Sequence, residues 1–161
     1  MAATVAGLST LGVKFGYAVE TAAGTKPAAF TQLERCNSIG GIALNAEQID
    51  ASALEDLVSR YVAGRQDTGG TWSVTFNTTD EVVTQLTTMI SDYNTGKAHT
   101  PTFRTWFEVW SPNNSKAFFV VAQPPQKLPM PEFGQNALQT IEITFTIEEY
   151  IGQDTAIEPT A

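Results

Sequence analysis

Residues 140–150, Thr-Ile-Glu-Ile-Thr-Phe-Thr-Ile-Glu-Glu-Tyr, alternate apolar and polar side chains almost without a break. Successive side chains of a β-strand point to opposite faces, so Ile141, Ile143, Phe145 and Ile147 share one buried face. Glu142, Thr144, Thr146 and Glu148 share the other. The same two-residue period places Val13, Phe15, Tyr17 and Val19 on one side of a strand over Gly12–Glu20, and Trp72, Val74 and Phe76 on one side of a strand that begins at Thr71. Between these lies Phe-Thr-Gln-Leu-Glu-Arg-Cys-Asn-Ser-Ile-Gly-Gly-Ile-Ala-Leu, residues 30–44, which reads as a strand broken by a bend at Gly40-Gly41. Phe103–Trp110 and Lys116–Gln123 are β-rich and joined by Ser-Pro-Asn-Asn-Ser, a connection of turn-forming residues that predicts a hairpin. Both hairpin strands carry large apolar groups on both faces, so the pair is either central to a sandwich or covered by another chain.

One segment has a clear helical period. Thr78 and Glu81 have capping-box spacing, and Val82, Val83, Leu86, Met89, Ile90 and Tyr93 form one apolar stripe, which predicts an amphipathic helix over about 79–95 ending near Gly96. With one apolar face, this helix must lie against a sheet. The fold class that follows is mainly β (α+β), with one flanking helix against a sheet. The four prolines between Pro124 and Asn136 predict an irregular crossover. At 161 residues the chain suits a single domain, 1–161, with mobile ends at 1–10 and 152–161.

Composition narrows the function classes. No apolar run approaches the ~20 residues of a membrane-spanning helix, and the N-terminus lacks the basic, then apolar, pattern of a secretory signal. Cys36 and His99 are the only cysteine and histidine, too few for an internal disulfide or a structural zinc site. A formal net charge of −8 disfavours gripping nucleic acid through its phosphates. It would suit a surface that DNA passes without sticking, but solubility alone is the default explanation.

Catalytic constellations are not expected. His99 sits in a polar turn without a nucleophile, and Cys36 has no activating context. The pairs Glu55-Asp56, Asp80-Glu81 and Glu148-Glu149 are adjacent rather than convergent, and neither Gly40-Gly41 nor Gly69-Gly70 has phosphate-loop spacing. No cofactor or metal is implied. Trp72, Trp106 and Trp110 allow an alternative, a carbohydrate-binding β-sandwich module of an adhesion protein, although their strand-like settings favour packing.

Residues 45–70 are the ambiguous stretch. Leu54, Leu57, Val58, Tyr61 and Val62 recur at helical spacing, with Ser52 and Glu55 as a possible capping box, inside an excursion bounded by glycines. The segment Ile49-Asp50 through Tyr61, Val62, Gly64, Asp67 and Gly69, followed by the strand at Thr71, resembles the central region of the major tail tube proteins of long-tailed bacteriophages, which are related to tube proteins of contractile tails and type VI secretion. The order of elements over about residues 11–151 is similar to that family too; Arg65 stands where the family often has an aliphatic residue.

The resemblance implies a β-sandwich or partly closed barrel with a flanking helix, and a virion structural subunit assembled in the bacterial cytoplasm into stacked, hexameric rings that form a hollow tail tube for genome delivery. Its partners would be other copies of itself, the tape measure protein, and the tail terminator and baseplate proteins, with DNA passing through the lumen. It implies that the 44–70 arm makes the ring-to-ring contact, through Leu54, Leu57, Val58, Tyr61, Val62, Arg65 and Asp67. The acidic excess adds the expectation of a negative lumen, with Glu20, Glu142 and Glu148 as its lining. Family analogy favours an extended arm, and local periodicity a helical turn.

Overall fold

A computed structural model describes residues 7–161. It contains strands β1 (Lys14–Val19), β2 (Thr31–Leu33), β3 (Cys36–Ile39), β4 (Asn45–Asp50), β5 (Tyr61–Asp67) and β6 (Thr71–Asn77), helix α1 (Asp80–Ala98), and strands β7 (Thr105–Trp110), β8 (Lys116–Gln123) and β9 (Thr140–Thr155). Seven strands make one antiparallel sheet in the order β2-β1-β7-β8-β9-β6-β3, and β4 and β5 make a separate two-stranded sheet. The mainly β class with a single helix is the one expected. The large sheet remains open and does not close into a barrel.

The outer strands β2 and β3 are the two edges of that sheet, yet only Glu34 and Arg35 separate them in the chain. The sheet must therefore curl until its edges meet at this corner. Arg35 takes a left-handed conformation (φ 57°), its carbonyl accepts the Asn77 N–H (2.9 Å), and the Gln85 side chain of α1 accepts the Glu34 N–H (3.0 Å). The break in the 30–44 segment thus falls at Glu34-Arg35, not only at the anticipated Gly40-Gly41.

Curling brings non-neighbouring strands face to face, as in a sandwich. Phe15 of β1 packs its ring 5.6 Å from Trp72 and 5.9 Å from Phe76 of β6, while Phe107 of β7 lies 4.6 Å from Phe145 of β9. Each such side chain stabilises the fold by about 1.5–3 kcal/mol on full burial, with about 0.5–1.5 kcal/mol more for a well-placed aromatic pair. Ile141, Ile143 and Phe145 are buried as their alternation predicts, and Glu142, Thr144 and Thr146 face out.

α1 lies against β1 and β2 through Val82, Leu86, Met89 and Ile90, and the Tyr17 hydroxyl donates to Asp92 (2.8 Å). The N-cap is Thr79, whose Oγ1 accepts the Val82 N–H (3.2 Å), rather than the anticipated Thr78. Thr78 is held by the sheet side, its N–H donating to the Gln139 carbonyl (3.0 Å). Gly96 does not end the helix either. It lies inside it, where a Cβ would stand 2.8 Å from Val19 Cγ1 and 3.0 Å from the Phe103 carbonyl, so the glycine permits close approach.

The β7–β8 hairpin is central to the sheet, the first of the two settings expected for it. The two-faced β7–β8 hairpin is covered on its outer side by this chain itself: Phe30, Trp106, Ala117, Phe119 and Val121 form a second buried cluster, against which Ile151, Ala156 and Ile157 pack. The C-terminal end over 152–161, expected to project, lies docked on the sheet, with Pro159 buried and Thr160 bridging to Thr31. Of the N-terminal end expected over 1–10, residues 1–6 lie outside the described residues, and 7–10 are exposed. Phe145→Ala should lower the unfolding free energy in urea by about 3–5 kcal/mol, because its ring sits among Phe15, Trp72 and Phe107.

Candidate assembly interface

The segment with two possible conformations forms a β-hairpin arm. β4 and β5 pair antiparallel, with Ile49 opposite Val62 and Asp50 opposite Tyr61, and a bulge sets Gly64 and Arg65 against Glu47. No helix forms over 52–63. The capping residue proposed for it has other work: the Ser52 N–H donates to Asp50 Oδ1 (2.9 Å), and Ser52 Oγ accepts the Arg60 N–H (2.8 Å) across the turn. Asp56 Oδ2 accepts the Ala53 N–H (2.8 Å), and Arg60 pairs with Asp56 at 3.5 Å. Side-chain bonds to nearby backbone offer an alternative to helix, and here they prevail. The Ser52 backbone N–H, with its hydroxyl nearby, holds the Asp50 carboxyl below its ordinary range.

This polar framework leaves the apolar residues bare. Leu54 and Leu57 have relative exposures of 109% and 102%, and Val58, Tyr61, Val62, Ile49 and Leu44 are also exposed. β4 and β5 pack on one another and on no other element to a comparable degree. The arm's order therefore comes from its own ladder and turn, not from burial in the core.

Asp67 and Arg65, also expected at an interface, lie at the arm's root and are exposed. Asp67 has a clear local duty: its Oδ1 accepts the Gly69 N–H (2.9 Å), and Gly69 and Gly70 follow in left-handed conformations (φ 85° and 77°) to turn the chain into β6. The Gly64-x-x-Asp67-x-Gly69 spacing is thus the bulge, side-chain turn and left-handed pivot of an arm joining a sheet.

The acidic residues expected on an open polar face divide. Glu142 and Glu148 are exposed on β9, and Glu148 accepts from Gln123 Nε2 (3.3 Å). With Thr71, Ser73 and Thr75 of β6 and Thr144 and Thr146 of β9, they make a face of hydroxyls and carboxylates without lysine or arginine. Glu20 is a correction. It is buried, because the outer side of β1 and β7 is roofed by other parts of the chain.

Glu20 instead forms a structural pair that the sequence pattern did not reveal. Its Oε1 accepts the Arg104 N–H (2.8 Å) and its Oε2 the Trp106 indole N–H (3.0 Å), while Arg104 also bonds Glu149 (2.6 Å). Burial alone would raise the carboxyl's pKa, but hydrogen bonds from the Arg104 backbone, Trp106, the Arg104 side chain and the Gly24 backbone outweigh it and hold the value low.

Of the three tryptophans, Trp72 and Trp106 are buried, and Trp110 is half-buried beneath Lys14. His99 is exposed and stacks on Phe103 with ring centroids 3.9 Å apart. Burial pushes the Cys36 thiol up to about 11, which keeps it protonated. Among the described residues no cluster of acids, histidine and cysteine could hold a metal ion.

Fold and surface together define a β domain with a closed core and an arm whose apolar residues are left uncovered. The sequence matches no protein-family model and no curated protein. Among solved structures, the fold matches a chain in the cryo-EM structure of the anti-feeding prophage (AFP) baseplate, 6-fold symmetrised, with a TM-score of 0.56 over 98% of this chain and 98% of that chain. Sequence identity is 8%, so the likeness is one of fold.

Because the Glu20 carboxyl is held below its ordinary value, its contribution to stability is present above the ordinary carboxylate pKa of about 4.3 and lost as pH falls through the lower folded value. Glu20→Gln should flatten that part of the acid limb in a stability-against-pH series. Glu20→Ala at neutral pH orphans two buried donors, each costing about 1–3 kcal/mol, and denaturant titration should show a loss of that order.

Proposed function

We propose that this chain is a structural subunit of a phage tail or a phage-derived device, and more specifically a tail tube subunit that assembles as stacked, hexameric rings. The observation that carries the reading is the arm: a hairpin with an internally bonded turn that holds Leu54, Leu57 and Val58 out in solvent. Such a surface is a liability on a lone domain and an asset on a subunit. The fold's likeness to a chain of a six-fold symmetrised prophage baseplate supports the same class.

The contact would be heterologous, closing into a ring by rotation and propagating along the axis by stacking. Burying each of Leu54, Leu57 and Val58 stabilises by about 1.5–3 kcal/mol, while joining two free bodies costs about 4–15 kcal/mol. One arm is therefore a marginal contact. A ring presents all its arms at once, and the later ones dock at high effective concentration. Assembly from rings, not from isolated subunits, follows from this arithmetic.

The β6–β9 face bearing Glu142 and Glu148 is the surface best suited to line a channel for DNA, since the two strands present acids and hydroxyls there and contribute no lysine or arginine. The tape measure, terminator and baseplate proteins are the partners this role requires. A carbohydrate-binding module ranks behind it, because Trp72 and Trp106 are buried and offer no stacking platform.

The combined change Leu54→Ser with Leu57→Ser tests the reading. Its effect on monomer stability should lie within about 0.5 kcal/mol, while rings and tubes seen by negative-stain electron microscopy of the parent should be lost. A variant that assembles as the parent does would sink the role given to the arm.

A further inference from the structure

The outer side of the sheet is roofed by the last residues of the chain. Ile157 packs into the cluster of Phe30, Trp106, Phe119 and Val121. Pro159 seats against Gly16, where an added Cβ would stand 2.8 Å from the proline Cβ and 3.2 Å from the Thr31 carbonyl. Thr160 then extends the free edge of β2 in parallel: the Gln32 N–H donates to its carbonyl (2.8 Å), and its own N–H donates to the Phe30 carbonyl (3.1 Å).

Beneath this segment lies Glu108, in the middle of β7 and without exposed surface. Its Oε1 accepts the Ile157 N–H (3.1 Å), and its Oε2 has no partner among the described residues. The charged groups around the strap are otherwise engaged. Lys26, from the β1–β2 connection, lies over the Phe119 ring at 4.1 Å and bonds Asp154 (3.2 Å) and the Thr155 carbonyl (2.9 Å). Lys14 of β1 pairs with Glu158 of the segment itself at 2.7 Å, and Glu20 with Arg104 holds the far side of Trp106. Lys116 at the start of β8 stands opposite Thr155, beside Asp154. None of these groups hydrogen-bonds to Oε2.

We propose that residues 156–160 form a releasable strap whose hold is set by protonation of Glu108, closed while the buried carboxyl is neutral and opening when it ionises. Opening bares the β2 edge and the Phe30–Trp106–Phe119 face to a second copy of this chain. An uncovered edge strand is a template for pairing with another chain, so the strap keeps free subunits apart.

The direction follows from linkage. Burial raises the Glu108 carboxyl to about 7, with the Ile157 N–H and Lys26 offsetting it only in part. In the open, solvated state it returns to about 4.3. The closed state therefore binds more protons between these values, so closure is favoured at the acid end and weakens as pH rises through the window. Asp154, held low by the Thr155 N–H and Lys26, and Glu20, also held low, stay charged throughout.

The test is hydrogen exchange at the Gln32, Ile157 and Thr160 amides of the full chain, corrected for intrinsic rate, carried out in the Leu54→Ser, Leu57→Ser background to keep the arm out of the result. From about pH 5 to about pH 8 the opening equilibrium should rise on the order of tens of fold in the parent and stay flat in Glu108→Gln. Gly16→Ala, which dislodges Pro159, should expose the same amides at both ends of the range and self-associate in sedimentation velocity. Lys14→Met removes the Glu158 pair and should leave the slope intact.

A slope unchanged by Glu108→Gln overturns the latch, as does pH-independent protection in the parent. Should Glu108→Gln not fold, carbon-13 titration of the parent's Glu108 carboxyl decides: a midpoint near the ordinary glutamate value overturns it, and an elevated one supports it. A Gly16→Ala protein that opens yet stays monomeric overturns the shielding of the edge.

Discussion

The corner at Glu34-Arg35 is the constraint from which the architecture follows. Two residues cannot span the width of a flat seven-stranded sheet, so the edges they join must be brought together by curvature. Curvature creates an inside, and the inside is filled by Phe15, Trp72, Phe76, Phe107 and Phe145, whose rings meet across strands that share no hydrogen bonds. α1 follows from the same requirement. A curled open sheet leaves apolar surface near β1 and β2, and the Val82-Leu86-Met89-Ile90 stripe covers it.

The outer surface is not uniform, and this decides which residues can act. Over β1, β7 and β8 the outward side chains include Trp106, Glu108 and Phe119 and are roofed by the chain's own end; over β6 and β9 they are threonines, a serine and glutamates facing solvent. Acidic residues on the two halves therefore meet opposite fates. Glu142 remains a solvated charge, whereas Glu20 must be satisfied by Arg104 and Trp106, and Glu108 is satisfied only in part.

Where burial followed local alternation, the sequence was legible. β6, the inner face of β9 and the β7–β8 hairpin lie where period two puts them, because each has one face on the core and a turn that sets its register. Helical spacing misled at 52–63, since Leu54, Leu57, Val58 and Tyr61 find no surface of this chain to cover and Ser52 and Asp56 bind the backbone in a turn instead. The residues that govern Glu20 and Glu108 are out of reach of any local pattern. They lie 84 and 49 positions away in the chain, and only the fold brings them together.

The arm and the body are stabilised by different means, and the difference bears on the assembly role proposed for the arm. The body gains its stability from a closed aromatic core. The arm gains order from hydrogen bonds within its own ladder and turn, so its apolar tip is held in place by the chain itself, and the docking proposed for it need not meet the full ordering cost of a disordered loop. Preorganisation raises the affinity of a correct contact, but it also raises that of incorrect ones. Asp50 and Glu55 are exposed acids on the arm, while Asp56 is paired with Arg60, so two arms meeting tip to tip would bring like charges together. In the assembly proposed above, charge at the tip disfavours a symmetric pair of tips.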